Sequence, residues 1–135
     1  MSTNAGHDPF TVAMPFATKV GLRIDHAEPE EVRGRVDWAA ELCTSAGILH
    51  GGVIMSLADS TGATCAFLNL PPGSGTSTIE SKTNFFRAVR EGHVEAISRP
   101  LHVGRTTIIV QTDLIDANGK RVAQVTQTQA VLRQD

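Results

Sequence analysis

The sequence predicts an α+β fold, an antiparallel sheet of five to six strands wrapped around one long central helix. Three observations predict it. One helical run, roughly residues 53–68, carries Ile54, Leu57, Ala58, Ala63, Ala66 and Phe67 with Ser and Thr between them and almost no charge. About six extended segments surround it, and four of them follow the helix consecutively. No repeat, linker or low-complexity tract interrupts the chain, so residues 1–135 read as one domain.

Residues 1–8 (Met-Ser-Thr-Asn-Ala-Gly-His-Asp) are small and polar and read as a flexible tail. Phe10, Met14, Phe16 and Ala17 have loose helical spacing that Pro15 interrupts, which predicts one or two short turns. Gly21 opens two extended stretches, residues 22–28 and 31–38, joined at Pro29. In the second, Val32, Gly34, Val36 and Trp38 alternate with Arg33, Arg35 and Asp37, the period of a strand with one wet face. Residues 39–49 form a connection of low polarity, and Gly51-Gly52 precedes the helix. A surface helix carries a charged face; this one does not, so other structure should wrap most of its sides. Pro71-Pro72-Gly73 ends it.

Strands are expected from there on. Residues 76–86 are rich in Thr and Phe, and Glu91-Gly92 turns the chain into residues 93–101. Gly104 precedes residues 106–115, a strongly β-branched run. Asp116-Ala117-Asn118-Gly119 is a tight turn, and residues 120–132 complete the hairpin.

Composition excludes several classes of function. With 41% hydrophobic and 19% charged residues the chain has an ordinary globular balance, and 135 residues suffice for a real core. A net charge of -2 supplies no basic field for a phosphate backbone, which argues against nucleic acid as a partner. No apolar run approaches the roughly 20 residues that span a bilayer, and no signal pattern opens the chain, so a cytoplasmic location is expected. Cys43 and Cys65 lack metal-ligand spacing and are expected as two reduced thiols, with no metal site.

One residue dominates the functional reading. Between Leu42 and Ile79 the only charged side chain is Asp59, nine positions after His50 in the triplet His50-Gly51-Gly52. An unpaired buried carboxylate is strongly unfavourable, so Asp59 must find a partner, shift its pKa or face a cavity. Ser56 and Thr64 are the neighbours that would satisfy it in a purely structural role.

Residues 49–60, Leu-His-Gly-Gly-Val-Ile-Met-Ser-Leu-Ala-Asp-Ser, closely resemble the hotdog-fold acyl-CoA thioesterases. The most similar are the PaaI-like group and its relatives acting on 4-hydroxybenzoyl-CoA and 1,4-dihydroxy-2-naphthoyl-CoA. The likeness continues through residues 76–89, Arg90-Glu91-Gly92, Leu101-His102-Val103-Gly104-Arg105 and the final hairpin, and spans roughly residues 10–133. It implies the hotdog fold and hydrolysis of an acyl-CoA to free acid and CoA, with no cofactor apart from the CoA of the substrate.

Thioester hydrolysis needs a polarised carbonyl, a nucleophile and a held leaving group. Gly51 and Gly52 stand where the helix begins, so their N–H groups lack intrahelical partners and meet the positive end of the helix dipole. Glycine lets a carbonyl oxygen approach that backbone closely, which makes an oxyanion site. Asp59 is the nucleophile or the general base; the residues do not choose between them. Eight residues of helix separate Gly51 from Asp59, ~12 Å at 1.5 Å per residue. Both can act on one thioester only from different subunits, so the site should lie at a two-fold interface. The resemblance implies the same, a homodimer at least, with dimers pairing into a homotetramer.

His50 is expected to orient the loop. Thr44 stands where similar enzymes carry Asn or Gln to hold the thioester or the lytic water. Ser77 matches a position where some of them place a hydroxyl beside the acid. Arg87, Arg90 and Arg105 form the expected phosphate-contacting group, and by resemblance the segment His102, Val103, Gly104, Arg105, Thr106 runs along the nucleotide end of CoA. Met55, Leu57, Phe67 and Phe85 are the expected acyl-pocket residues, though each suits a core equally well. Two other readings stand beside hydrolysis. A non-catalytic acyl-CoA-binding module would be compatible with Thr44. A hotdog hydratase or dehydratase is disfavoured, because no second acid and His pair accompanies Asp59.

Overall fold

In the computed structural model, which describes residues 8–133, the extended segments form a single six-stranded antiparallel sheet. The strands are β1 (Arg23–Glu28), β2 (Glu31–Asp37), β3 (Gly75–Phe85), β4 (His93–Val103), β5 (Thr107–Asp116) and β6 (Arg121–Leu132). Their order across the sheet is β1-β2-β4-β5-β6-β3. Two short helices, α1 (Pro9–Val12) and α2 (Pro15–Val20), precede the sheet, and the long helix α3 (Gly51–Leu68) packs against all six strands. This is the α+β hotdog arrangement.

Strand periodicity decides what faces the helix. On β5, Ile108, Val110, Thr112 and Leu114 are fully buried, and on β4 so are Val94, Ala96 and Ser98. The two hydroxyls in that layer satisfy each other, Ser98 Oγ and Thr112 Oγ1 lying 2.6 Å apart. From α3 the layer receives Ile54, Leu57, Ala58, Thr61, Cys65 and Ala66. Burial pushes the Cys65 thiol up to about 11, and both Cys43 and Cys65 are free.

Several expectations need correction. Helix α3 starts at Gly51, two residues early, because the His50 ring caps it: Nδ1 accepts the Gly52 N–H at 2.7 Å. It ends at Leu68, as expected, where Asn69 Nδ2 donates to the Cys65 carbonyl at 2.9 Å and to the Pro29 carbonyl at 2.8 Å. Other structure does cover most sides of the helix, which contacts all six strands and buries eight of its residues. Met55, Asp59 and Phe67, spaced by four and eight residues, leave one stripe of it exposed. Asp8, read as part of a loose tail, is anchored; its carboxylate accepts from Thr11 N at 2.7 Å and Ile24 N at 3.2 Å. The rest of that expected tail, residues 1–7, lies outside the described residues.

Both edge strands of the sheet, β1 and β3, pair on one side only among the described strands. β3 pairs with β6 alone among the described strands, and it offers Ile79, 61% exposed, beside a register shift. Among the described residues no helix is long and apolar enough to cross a membrane.

Candidate active site

The site begins in the connection before α3. Residues 40–42 and 45–47 make two 3-10 turns, and Cys43 and Leu49 pair across the loop. Ala46 adopts a left-handed conformation (φ 62°), which costs a non-glycine residue ~1–2 kcal/mol. Two neighbours hold the turn: Trp38 Nε1–H donates to the Gly47 carbonyl at 3.0 Å and Arg90 to the Ala46 carbonyl at 3.4 Å. The His50 N–H then reaches the Leu42 carbonyl at 2.9 Å, which fixes the entry into the helix.

This geometry divides the two glycines. The Gly52 N–H is committed to the His50 ring, so His50 is the loop-orienting cap and Gly52 is not a free donor. The Gly51 N–H finds no acceptor among the described residues and remains the helix-terminal donor. It opens on a cavity of about 380 Å³ shared with Thr44, Ile48, Phe85, Phe86 and Arg87. A Cβ added at Gly51 would lie 3.2 Å from Phe85 Cζ, so the absence of a side chain keeps the donor accessible.

Asp59 stands two turns further on, exposed, in a separate groove of about 370 Å³ with Gly52, Met55, Ser56, Thr78 and Ser81. Its Oδ1 accepts from Thr78 Oγ1 and from Gln127 Nε2, both at 3.2 Å. Its Oδ2 has no partner among the described residues. Gln127 is wholly buried and its Nε2 also donates to Gln129 Oε1 at 2.9 Å. Gln129 Nε2 donates to Thr76 Oγ1 at 3.1 Å, and Thr76 Oγ1–H to the Ala130 carbonyl at 2.8 Å. Thr78 Oγ1 also lies 2.6 Å from Gln129 Oε1.

Sequence reasoning missed most of these partners. Ser56 and Thr64 do not serve Asp59; each bonds back to its own helix, to the Gly52 and Ser60 carbonyls, at 2.8 Å. The hydroxyl beside the acid belongs to Thr78 and not to Ser77. Thr76 and Thr78 share the inner face of β3, so alternation turns the exposed Ser77 away. The signal for the glutamines was present but faint. Val125, Gln127 and Gln129 fall on one face of β6, and two polar residues continuing an apolar face mark a buried hydrogen-bonding layer.

The expected phosphate-contacting group is split. Arg87 and Arg90 line a cavity of about 430 Å³ with Asp116, Ala117 and Asn118. Val94 pairs with Asp116 at that end of β4, whereas Val103 pairs with Ile108 at the other, next to Arg105. Nine residues of strand separate the two ends, ~30 Å, so one protomer cannot bring Arg87, Arg90 and Arg105 to one phosphate. The segment from His102 to Thr106 forms the β4–β5 turn, closed by Gly104 N–H to the Thr107 carbonyl at 2.8 Å. Asp59 belongs to that end of the sheet, since its partner Thr78 pairs with Gln129 and Gln129 with Ile108. Gly51 belongs to the other end, where its neighbour Phe85 pairs with Ala123 and Ala123 with Leu114.

The expected acyl-pocket residues also separate. Leu57 is fully buried core, Met55 lines the Asp59 groove and Phe85 the Gly51 cavity. Phe67 lines an apolar cleft of about 390 Å³ with Phe10, Met14 and Ala63. Among the described residues no three His, Cys, Asp or Glu side chains gather to hold a metal.

A six-stranded antiparallel sheet gripping one long helix defines a hotdog-fold protein, and the helix-start donor and the hydrogen-bonded carboxylate make its candidate site. The profile of the Thioesterase superfamily matches residues 46–123; the chain belongs to that family and is a thioester hydrolase. It is 31% identical over 121 residues to a Mycobacterium tuberculosis protein carrying an esterase name, Rv1847, covering 83% of this chain and 86% of that one. It is 26% identical over 111 residues to the Escherichia coli 1,4-dihydroxy-2-naphthoyl-CoA hydrolase, covering 82% of each. The solved structure of the M. tuberculosis protein superimposes with a TM-score of 0.86 over 90% of this chain and 99% of that one, at 25% identity.

Proposed function

We propose that the chain hydrolyses acyl-CoA thioesters at sites shared between two protomers, Gly51 of one facing Asp59 of the other. A single observation carries this reading: the free Gly51 N–H and the Asp59 carboxylate open on different cavities, two turns apart along one helix. A two-fold axis joining the open β3 edges would lay two α3 helices side by side in opposite directions. Each helix start would then meet the middle of its partner. The exposed apolar stripe of α3 and Ile79 on the edge supply surface that such pairing would cover. Pairing of these dimers into a tetramer, in the cytoplasm, completes the proposal.

In this arrangement the thioester oxygen accepts the Gly51 N–H, and the helix dipole favours the charge that develops there. Asp59 Oδ2 either attacks the carbonyl carbon, giving a mixed anhydride that water then opens, or takes a proton from the attacking water. Either way the C–S bond breaks, CoA leaves as thiolate and takes up a proton, and the acid is released. Thr44 shares the cavity of Gly51 and offers a hydroxyl to the carbonyl or water. Because the cations are split, the CoA phosphates would meet Arg87 and Arg90 from one protomer and Arg105 from the other.

The test is thiol release from a panel of aryl, short, medium and long acyl-CoAs, with Asp59→Asn beside the parent. We expect turnover that the substitution lowers by about 100-fold or more. Turnover indifferent to Asp59→Asn would overturn the assignment. Binding of acyl-CoA without hydrolysis would favour the non-catalytic module.

A further inference from the structure

We infer that Gln127 is a positioning residue for Asp59, and that a backbone carbonyl on β6 sets the direction of the hydrogen bonds that commit it. The inference rests on the reading of Asp59 as the reacting carboxylate. It follows from counting protons. The Ala130 carbonyl can only accept, so the single proton of the Thr76 hydroxyl must point at it, 2.8 Å away. The Thr76 oxygen is then an acceptor, and the group 3.1 Å from it on Gln129 must be the amide nitrogen. That orientation turns Gln129 Oε1 toward Gln127, where only an N–H can satisfy it at 2.9 Å. Gln127 Nε2 therefore faces inward, and its second proton is the one that reaches Asp59 Oδ1.

The rest of the Gln127 amide shows what this orientation costs. With Nε2 committed, Gln127 Oε1 is buried without any hydrogen-bond partner. It lies against Gly62, where a Cβ would collide with it. A glycine in the middle of a helix is itself unfavourable by about 1 kcal/mol relative to alanine. An orphaned acceptor and a mid-helix glycine are both accounted for if the amide must reach the carboxylate. Thr78 cannot replace it, because its one proton is shared between Gln129 Oε1 at 2.6 Å and Asp59 Oδ1 at 3.2 Å. Gln127 thus holds Oδ1 and leaves Oδ2 as the oxygen that works on the substrate.

The test uses Gln127→Met, which keeps the volume and removes both the donor and the orphaned acceptor. We expect kcat to fall about 10- to 100-fold, as for other partners that orient a reacting group, with KM within about twofold. The thermal midpoint should hold or rise, since an unsatisfied buried acceptor disappears. Unchanged kcat with a lowered midpoint would make the glutamine purely structural and overturn the inference. Thr76→Val, which releases the amide of Gln129, should lower kcat in the same sense, and Thr76→Ser should restore it; equal activity of the two would contradict the relay. If the parent hydrolyses no acyl-CoA, the thioesterase reading fails by itself, and the relay is read from the Gln127 side-chain amide resonances. They should shift in both Asp59→Asn and Thr76→Val, and the absence of a shift in either would overturn it.

Discussion

The start and the middle of helix α3 are built in opposite ways. At the start, the proposed working group is a backbone N–H made available by local chain geometry, and the nearest side chain, His50, caps the helix. In the middle, the proposed working group is a side chain held by residues from two strands, Thr78 on β3 and Gln127 on β6. The first station needs the absence of side chains. The second needs a buried polar layer that reaches back to the Ala130 carbonyl. A backbone donor tolerates little intrusion, whereas a carboxylate tolerates little freedom.

That contrast can be broken at each station. Gly51→Val should have the larger effect: its side chain would press on Phe85 and screen the N–H, lowering kcat about 100-fold or more while the fold persists. Gly62→Ala comes next. On helix propensity alone it would stabilise by about 1 kcal/mol, but the new methyl collides with Gln127. We expect overpacking of about 1–3 kcal/mol to win, read as a lower thermal midpoint together with reduced kcat. A raised midpoint would show that the helix and β6 are less tightly fitted than described.

The smallest effect lies outside the site. Glu31 sits between Arg33 at 2.7 Å and Arg99 at 2.6 Å, and hydrogen bonding from Arg33 first, then from Arg99, holds its carboxyl below the usual range. A carboxyl lowered on folding contributes stability above its unfolded value, near 4.3, and loses it as the pH falls through the folded one. Glu31→Gln should therefore lower the thermal midpoint slightly at pH 7, and the difference should vanish in acid. A gap that persists at low pH would assign the effect to packing.

The same contrast explains what could be read from sequence. The strands and α3 were legible because their periods are local, and the frame of the candidate site is equally local, since His50, Gly51 and Asp59 fall within ten positions. The helix start was placed two residues late because a His ring, outside the usual Ser, Thr, Asp and Asn caps, does the capping. Ser77 stood in for Thr78 because one residue of strand reverses the face. Gln127 and Gln129 lie more than sixty positions from Asp59, and only the β3–β6 register brings them beside it. Arg87, Arg90 and Arg105 looked like one group because sequence proximity conceals an intervening strand of eleven residues.

The central claim is that each site takes Gly51 from one protomer and Asp59 from the other, and mixing two inactive variants tests it most directly. In a heterodimer of Asp59→Asn with Gly51→Val, one site would carry both lesions and the other neither. After unfolding and joint refolding in equal amounts, random pairing should restore about a quarter of the parental activity, since half the dimers then hold one intact site of two. Each variant refolded alone should stay inactive. A mixture that stays as inactive as its components would contradict the shared site.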